Sequence, residues 1–292
     1  MSVNTMKGSI PAGGLEGMTV LVTGGGSGIG AACAARLATD GAAVTICGRT
    51  DAKLEATAEK IRAHLPENCG GSIQTIVADV TIEEDVARIA EKAAESTGVL
   101  DGCIANAGGG GGMRPYHLQD TEEFLRVLHL NVLSTMLCVK HTTPLMVKAG
   151  GGSFIGMSSI AGHITHPYFG AYCVGKAGIE EMMKNAADEF GSRGLRFNSI
   201  RPGFIATELM DFIPRDSEVY ESYLRNTPMA DVGRPEDVAH LARFLIGQES
   251  RWITAVAINV DGGHALRRGP DFGQFVEPAI GKDALTGGVP KP

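Results

Sequence analysis

Residues 18–30 read M-T-V-L-V-T-G-G-G-S-G-I-G, an apolar run that passes directly into a glycine-rich turn. The run at 18–22 predicts a short buried strand, and the small residues from Ile29 to about Thr39 predict a helix. A strand, a glycine turn and a helix in this order can place a pyrophosphate on the N-terminus of the helix. Gly24, Gly28 and Gly30 give the spacing T-G-x-x-x-G-x-G, which differs from G-x-G-x-x-G. The pattern indicates a nucleotide site, and a flexible glycine loop is the alternative.

Six further apolar runs follow along the chain, and segments with helical periodicity separate most of them. They span residues 43–47, 73–78, 100–105, 153–157, 195–200 and 254–260. Strands that alternate with helices and are apolar on both faces form a parallel sheet covered on both sides. We therefore predict an α/β, single-domain Rossmann-like doubly wound fold, with a seven-stranded parallel sheet and helices on both faces.

The ends of the chain and one internal segment depart from this alternation. Residues 1–16 predict an N-terminal arm, residues 17–266 the dinucleotide-binding and catalytic domain, and the Gly/Pro-rich residues 267–292 an extended C-terminal arm. Residues 204–230 are irregular but carry many apolar and aromatic side chains. They predict a lid over an apolar substrate, and a pair of short packing helices is the alternative.

Composition excludes several classes of protein. The net charge of −7 comes from interspersed acidic and basic residues, which argues against a nucleic-acid or membrane surface. A membrane span would need about 18 consecutive apolar residues, and the sequence has no such run. Six scattered cysteines without a C-x-x-C pair argue against a disulfide framework and a zinc site, and we predict no metal. Cysteine usage of this kind indicates a reducing compartment, so we predict a cytoplasmic protein.

A second informative stretch joins the fifth apolar run to the helix after it. Tyr172 and Lys176 are four residues apart and so share one face of a helix, while Ser159 stands at the end of the preceding strand. A free phenol has a pKa of about 10, and a nearby ammonium lowers it. A hydroxyl, a phenol and an ammonium can together surround one carbonyl oxygen. The alternative is an ordinary helix with an exposed tyrosine and lysine.

The end of the second strand bears on the choice of nucleotide. An acidic residue there accepts a hydrogen bond from the ribose 2′-hydroxyl, whereas a basic residue suits a 2′-phosphate. Here the strand ends in Gly48 and Arg49, and no carboxylate precedes Asp51. This favours NADP over NAD. Two observations oppose it, because Ser27 in the glycine turn is not basic and Asp51 could fold back onto the ribose; Arg49 could also be a solvated loop charge.

Other polar residues follow predicted strands or interrupt apolar stretches. Asp79 and Val80 suit the rim and the face of an adenine, and Asn106 follows the fourth strand. Asn131 lies within an otherwise apolar helical stretch, so it is either a satisfied core residue or a functional one. His163 and His166 could line a substrate pocket, although we favour polar loop residues.

With these motifs in one order, residues 17–266 resemble the short-chain dehydrogenase/reductase family. T-G-G-G-S-G-I-G resembles the cofactor loop of the family, Asp79-Val80 its adenine contact and Asn106-Ala107-Gly108 its strand-four motif. The segment that begins with Arg201-Pro202-Gly203 resembles the one that holds the nicotinamide carboxamide. The resemblance implies a cofactor site made of Thr23, Gly24, Gly26, Ser27, Gly28, Ile29, Gly30, Arg49, Asp79, Val80, Asn106, Ala107, Gly108, Tyr172, Lys176, Pro202, Gly203, Ile205 and Thr207.

The resemblance also implies four catalytic residues, which are Asn131, Ser159, Tyr172 and Lys176. Tyr172 would be the acid/base on the substrate oxygen, and Ser159 would polarise the carbonyl group. Lys176 would lower the pKa of the tyrosine and hold the nicotinamide ribose. Asn131 would maintain a kinked helix and a water that leads to Lys176.

The predicted function is therefore hydride transfer between NAD(P), with NADP favoured, and a ketone or secondary alcohol. The predicted substrate is a small molecule with a lipid-like or acyl body, as the apolar lid suggests, and the resemblance implies a homotetramer because family members often form one. One alternative is an enoyl reductase similar to the 2,4-dienoyl-CoA enzymes, which resemble this chain around Gly48-Arg49. The other is a non-catalytic dinucleotide-binding sensor.

Overall fold

A computed structural model describes residues 14–267, 269 and 272–291. The strands are β1 (Thr19–Thr23), β2 (Ala43–Gly48), β3 (Ser72–Val77), β4 (Gly102–Ala105), β5 (Gly152–Met157), β6 (Leu195–Pro202) and β7 (Ala257–Val260). The α-helices are α1 (Gly28–Thr39), α2 (Asp51–His64), α3 (Glu83–Ala94), α4 (Thr121–Leu128), α5 (Ser134–Lys148), α6 (Gly170–Phe190), α7 (Glu218–Asn226), α8 (Pro235–Ile246) and α9 (Gly273–Ile280).

Within the described residues, the strands form one seven-stranded parallel sheet in the order β3-β2-β1-β4-β5-β6-β7. The predicted fold class is confirmed. The order reverses between β1 and β4, where helices leave the sheet toward opposite faces. A crevice forms at such a switch point beyond the carboxyl ends of the strands.

Two apolar layers cover the sheet. One layer packs α1, α2 and α8 against the sheet through buried side chains such as Leu37, Leu54 and Leu245. The other packs α3, α5 and α6 through side chains such as Ile89 and Met183. Because both faces are covered, the strands are apolar on both sides, which is why they read as continuous runs in the sequence.

A π-helical turn at His129–Leu133 separates α4 from α5. The long helical pattern after residue 118 is therefore two α-helices joined by this turn. Asn131 lies inside the turn and is completely buried. Turns of this kind occur mostly at functional sites.

The C-terminal arm is folded, and the prediction of an extended segment is wrong. It contains α9 and a 3-10 turn at Asp283–Thr286. The fully buried ring of Phe272 packs on Phe169 and Tyr223, with centroid distances of 4.7 and 6.2 Å. Phe272 finds these packing partners only in the folded chain. The glycine and proline content of the segment therefore did not indicate that it folds.

The predicted lid at 204–230 is also ordered. It contains a 3-10 turn at Glu208–Met210 and α7, so the alternative of short packing helices holds. Phe204 stacks on Tyr223 at 4.3 Å and joins Ile213, Val219 and Phe272 in a third apolar cluster. Lid and C-terminal segment therefore form one layer.

The N-terminal arm was predicted to extend through residue 16. Its residues 1–13 lie outside the described residues. Leu15 is completely buried, and its backbone N–H donates to the carbonyl oxygen of Asp40 at 3.2 Å. The ordered domain therefore begins before residue 17.

Candidate active site

A cavity of about 390 Å³ opens at the carboxyl edge of the sheet, over the switch point. Most of the predicted site residues line it. They are Gly24, Ser27, Gly28, Ile29, Arg49, Asp79, Val80, Asn106, Ala107, Gly108, Ser159, Tyr172, Lys176, Pro202, Gly203, Ile205 and Thr207. The predicted residues Thr23, Gly26, Gly30 and Asn131 are not among the lining residues and lie behind the wall.

The glycine turn brings the N-terminus of α1 to this cavity. Ser27 is the N-cap residue, but its side chain accepts no hydrogen bond from the helix. The first N–H groups of α1 therefore keep their capacity to bind an anion. Gly24 has a φ of +65°, and a β-carbon on Gly30 would lie 2.2 Å from the carbonyl oxygen of Gly24. Glycine at both positions is what allows the turn to close, and a dinucleotide pyrophosphate fits this cradle.

Thr23 supports the wall from behind. Its hydroxyl oxygen accepts hydrogen bonds from the N–H groups of Asn106 and Ala107, at 3.0 and 2.9 Å. The side-chain amide of Asn106 donates to the carbonyl oxygen of Thr23 at 3.0 Å. These bonds join the ends of β1 and β4 directly beneath the switch point. Thr23 therefore shapes the cavity without facing it.

Charged groups mark the far end of the cavity. Arg49 lines the cavity at the end of β2. Asp51 is not among the described residues that line it. Lys53, one turn further along α2, pairs with Glu208 at 3.0 Å, and Glu208 also lines the cavity. This pair joins α2 to the lid. Neither Lys53 nor Glu208 was singled out from the sequence, because their proximity depends on the path of the lid.

Ser159, Tyr172 and Lys176 meet at the opposite end. The Lys176 ammonium is buried, donates to the carbonyl oxygen of Met157 at 2.7 Å and lies 5.5 Å from the centre of the Tyr172 ring. Burial lowers the pKa of Lys176 to about 8. Burial raises the pKa of the Tyr172 phenol, and a side-chain hydrogen bond with Ser159 acts in the opposite direction. A desolvated phenol of this kind is held protonated, beside a cation that is easily discharged.

Asn131 acts on the cavity wall through the backbone. Its side-chain amide donates to the carbonyl oxygens of Gly109 and Val127, each at 2.8 Å. Its side-chain oxygen accepts from the N–H of Gly109 at 3.3 Å. A β-carbon on Gly108 would lie 2.7 Å from that oxygen and 3.1 Å from the Lys176 nitrogen. Asn131 therefore fixes the glycine loop that separates it from Lys176.

The loop between Ser159 and Tyr172 places its two histidines outside the cavity lining. His163 is exposed, and His166 is buried against Phe169 at a centroid distance of 6.3 Å. Burial lowers the pKa of His166 to about 4, so its ring is neutral at physiological pH. Apolar side chains line the cavity instead, among them Leu130, Met157 and Met210.

A buried ion pair beneath the site was not predicted. Glu180 on α6 contacts Arg201 at the end of β6, and Ser158 contacts Glu180. One signal in the sequence could have found Glu180, because it lies four residues after Lys176 and shares the buried face of α6. Its partner could not be identified, since pairing across the sheet is a tertiary contact.

The described part of the chain lacks two classes of feature. It has no group of three or more His, Cys, Asp or Glu side chains that could hold a metal ion. None of its helices is both long and apolar enough to cross a membrane. All six cysteines are free thiols.

Comparison with known proteins places this geometry in a family. Residues 24–265 match the family described as "Enoyl-(Acyl carrier protein) reductase". The chain is 34% identical over 263 residues to a 7alpha-hydroxysteroid dehydrogenase of Clostridium sardiniense, which covers 89% of this chain and 98% of that protein. It is 33% identical over 244 residues to cis-4-hydroxycyclohexanecarboxylate dehydrogenase of Sinomonas cyclohexanicum, covering 84% and 95%.

A solved structure supports the same assignment. The short-chain type dehydrogenase/reductase from Mycobacterium ulcerans superimposes with a TM-score of 0.91 at 44% identity, over 94% of this chain and 99% of that one. The predicted resemblance is confirmed. The chain belongs to the short-chain dehydrogenase/reductase family and is an NAD(P)-dependent oxidoreductase that acts on CH–OH groups.

Proposed function

We propose that this protein is an NADP-dependent oxidoreductase that interconverts a secondary alcohol and a ketone, with Tyr172 as its acid/base. The observation that carries the proposal is the meeting of Ser159, Tyr172 and Lys176 at one end of a cavity whose wall includes the glycine turn. One cavity can then hold a dinucleotide along its length and a carbonyl group at its end.

The residues of the cavity fit a dinucleotide. The N–H groups at the start of α1 bind the pyrophosphate, and Asp79 and Val80 meet the adenine. Pro202, Gly203, Ile205 and Thr207 hold the nicotinamide end. When bound, the cofactor supplies or accepts a hydride at the nicotinamide C4 position.

The protein supplies the proton chemistry. In ketone reduction, Tyr172 donates its phenolic proton to the carbonyl oxygen while Ser159 donates a hydrogen bond to the same oxygen. In alcohol oxidation, the Tyr172 phenolate takes the hydroxyl proton. The Lys176 ammonium stabilises that phenolate, and Asn131 holds the loop against which Lys176 packs.

The NADP preference is proposed from Arg49. It lines the cavity at the end of β2, where a 2′-phosphate of the cofactor would lie. Glu208 opposes this assignment, because it also lines the cavity, but its charge is balanced by Lys53.

A binding titration with NADPH and NADH tests this preference. We expect NADPH to bind more tightly to the wild type, and Arg49→Ala to weaken NADPH binding about 10- to 100-fold without affecting NADH, because a charge-assisted hydrogen bond is lost. Arg193→Ala, a change at an exposed arginine on a 3-10 turn, is the matched control. Wild-type protein that binds NADH as well as NADPH would contradict the NADP assignment.

The substrate class is proposed as an alcohol or ketone with an apolar body. The apolar lining at Leu130, Met157 and Met210 supports this, as do the named substrates of the two relatives, which are cyclic secondary alcohols. A panel of a 7α-hydroxysteroid, cis-4-hydroxycyclohexanecarboxylate and cyclohexanol tests it in wild type and Tyr172→Phe. Turnover that survives in Tyr172→Phe would show that the tyrosine is not the acid/base.

Enoyl reduction is the second candidate, because the description of the matching family names an enoyl reductase. An enoyl thioester added to the same panel separates the two reactions, since one of them reduces a C=O bond and the other a C=C bond. Binding of NADPH without turnover of any panel member would instead support the sensor alternative.

A further inference from the structure

The ion pair beneath the active site is buried and bidentate. The Arg201 Nε donates to Glu180 Oε1 at 2.6 Å, and its Nη2 donates to Oε2 at 2.5 Å. The Arg201 and Glu180 side chains are only 16% and 8% exposed, whereas charged side chains in proteins are mostly exposed. Among the described residues that line the cavity, neither Glu180 nor Arg201 appears. The pair therefore supports the site from behind.

Ser158 extends this pair to the backbone of α6. Its hydroxyl lies 2.7 Å from Glu180 Oε1 and 2.9 Å from the carbonyl oxygen of Lys176, both of which are acceptors. The N–H of Ser158 donates to the carbonyl oxygen of Ile200, the residue before Arg201, at 2.8 Å. Three segments thus meet in one hydrogen-bonded group, which are the end of β5, the end of β6 and the second turn of α6.

Each member of this group is adjacent to a residue of the active site. Ser158 precedes Ser159, Glu180 follows Lys176 by one helical turn, and Arg201 precedes Pro202. The Lys176 ammonium itself donates to Met157, the residue before Ser158. A displacement at any of the three segments would therefore change the distances between the groups that handle the proton and the hydride.

Stability alone does not account for a buried ion pair. Desolvation of the two charges offsets most of their attraction, so replacing such a pair by apolar side chains of similar volume is often neutral for folding. An apolar replacement would lose the directional hydrogen bonds of the pair. A planar guanidinium bound to a carboxylate fixes both the distance and the angle between the two side chains. The arrangement of this group suits alignment of the three segments.

We propose that Ser158, Glu180 and Arg201 are positioning residues that hold α6, with Tyr172 and Lys176, in register with Ser159 on β5 and the nicotinamide-binding segment after β6. This inference rests on the proposed roles of Tyr172 and Lys176. It adds Glu180 and Arg201, which act through these groups from behind the cavity wall, and Ser158, which joins them to that wall.

The test separates alignment from folding with a double variant. Glu180→Leu combined with Arg201→Met removes both charges together, so that neither ion is left buried alone. We expect the melting temperature and the Kd for NADPH to change little, and kcat for the fastest alcohol of the panel to fall about 100-fold, because small displacements of reacting groups have effects of that size. Glu181→Leu combined with Lys184→Met is the matched control, since this exposed pair lies on the same helix.

A spectroscopic measurement tests the same idea without any substrate. The titration of Tyr172 is followed as the ultraviolet absorption difference between each protein and its Tyr172→Phe counterpart, in the presence of NADP⁺. The titratable groups that influence or face Tyr172 are Lys176, Cys173 and Tyr223, and none of them is changed. We expect the phenol to titrate at higher pH in the double variant, because Ser159, whose hydrogen bond lowers the pKa of Tyr172, is no longer held in place beside it.

A second variant decides the matter if the double variant unfolds. Arg201→Lys keeps the charge but loses the planar fork, and we expect about a tenfold fall in kcat with the fold retained. The proposal is overturned if Arg201→Lys, or a folded double variant, keeps wild-type kcat and Tyr172 titration while Tyr172→Phe is inactive. If Tyr172→Phe remains active, the proposed function fails instead, which is a distinguishable result.

Discussion

At the scale of a single residue, Lys176 combines a positive charge with burial, and burial disfavours the charge. In the proposed mechanism it carries a positive charge that stabilises a phenolate, yet it is 4% exposed and has given up most of its hydration. Burial lowers its pKa to about 8, so the ammonium is present below that pH and is lost above it. The charge on which the site depends is therefore available at neutral pH but not far above it.

This predicts the pH dependence of the free enzyme, which kcat/KM for NADPH reports. We expect kcat/KM to be level below about pH 8 and to fall as the pH rises above it, because Lys176 then loses its proton. Lys176→Arg is the control, since a guanidinium stays charged throughout this range, and its lower activity should not show the same fall. A wild-type profile that stays level well above pH 8 would contradict the assignment.

Residue types at the site were largely predictable from the sequence, whereas their partners were not. Tyr172, Lys176 and Ser159 could be identified because spacing along a helix and position at a strand end are local properties. The pairing of Arg201 with Glu180 could not be predicted from the sequence, since 21 residues separate them and only the folded sheet brings them together. The charges around Arg49 could not be predicted for the same reason, because Glu208 reaches the cavity from the distant segment 204–230.

At the scale of elements, the glycine turn before α1 has the sharpest steric requirement. A β-carbon on Gly30 would lie 2.2 Å from a backbone oxygen, which cannot move without opening the turn. The same addition on Gly26 meets side chains of Leu54 and Lys53 at 3.5 Å, an ordinary contact. Two glycines of one motif therefore differ in what they tolerate.

We predict that Gly30→Ala weakens NADPH binding at least 100-fold, since the N-terminus of α1 and the turn can no longer face the pyrophosphate together. Gly26→Ala should bind NADPH within about threefold of the wild type, because a residue with ordinary contacts changes a protein little. Calorimetric titration of both variants measures this. Equal affinities for the two variants would show that the turn is more compliant than its geometry indicates.

Elements with regular periodicity were predicted well. Residues 51–64 and 235–246 have helical periodicity in the sequence and form α2 and α8, and Pro235 at the start of α8 is a further local signal. Helix propensity did not indicate the π turn, although the resemblance to the family implied a kinked helix at Asn131. The segment 204–230 was uncertain, as its helix is ordered by Phe204 and Phe272.

At the scale of the whole molecule, the C-terminal segment closes the side of the structure next to Tyr172. Phe272 contacts Phe169, whose ring lies 6.0 Å from that of Tyr172. At the other end of the segment, the Gly288 carbonyl oxygen lies 3.3 Å from the ring nitrogen of His117. A segment that looked like an appendage in the sequence is therefore part of the enclosure of the catalytic end.

We predict that Phe272→Ala lowers the stability by about 3–5 kcal/mol, the usual cost of removing a buried phenylalanine ring. Activity on an apolar alcohol should fall more than the affinity for NADPH, because Phe272 packs on Phe169, whose ring lies beside that of Tyr172. Val289→Ala is the control, since this residue of the same segment is 83% exposed. Thermal unfolding measures the change in stability, and steady-state kinetics measure the changes in activity and in affinity for NADPH. If NADPH binding and activity fall equally, the segment acts on the whole fold.

The π turn at His129–Leu133 has a consequence for insertions and deletions in this chain. Relative to a regular helix, a π turn holds one additional residue, and each residue rotates the helix by about 100°. The apolar face of α5 is therefore rotated by that angle from where an unbroken continuation of α4 would point it. Losing one residue here would restore ideal helical hydrogen bonding and yet turn the packed side of α5 away from the sheet. For the orientation of α5, the number of residues in this turn matters more than their identity.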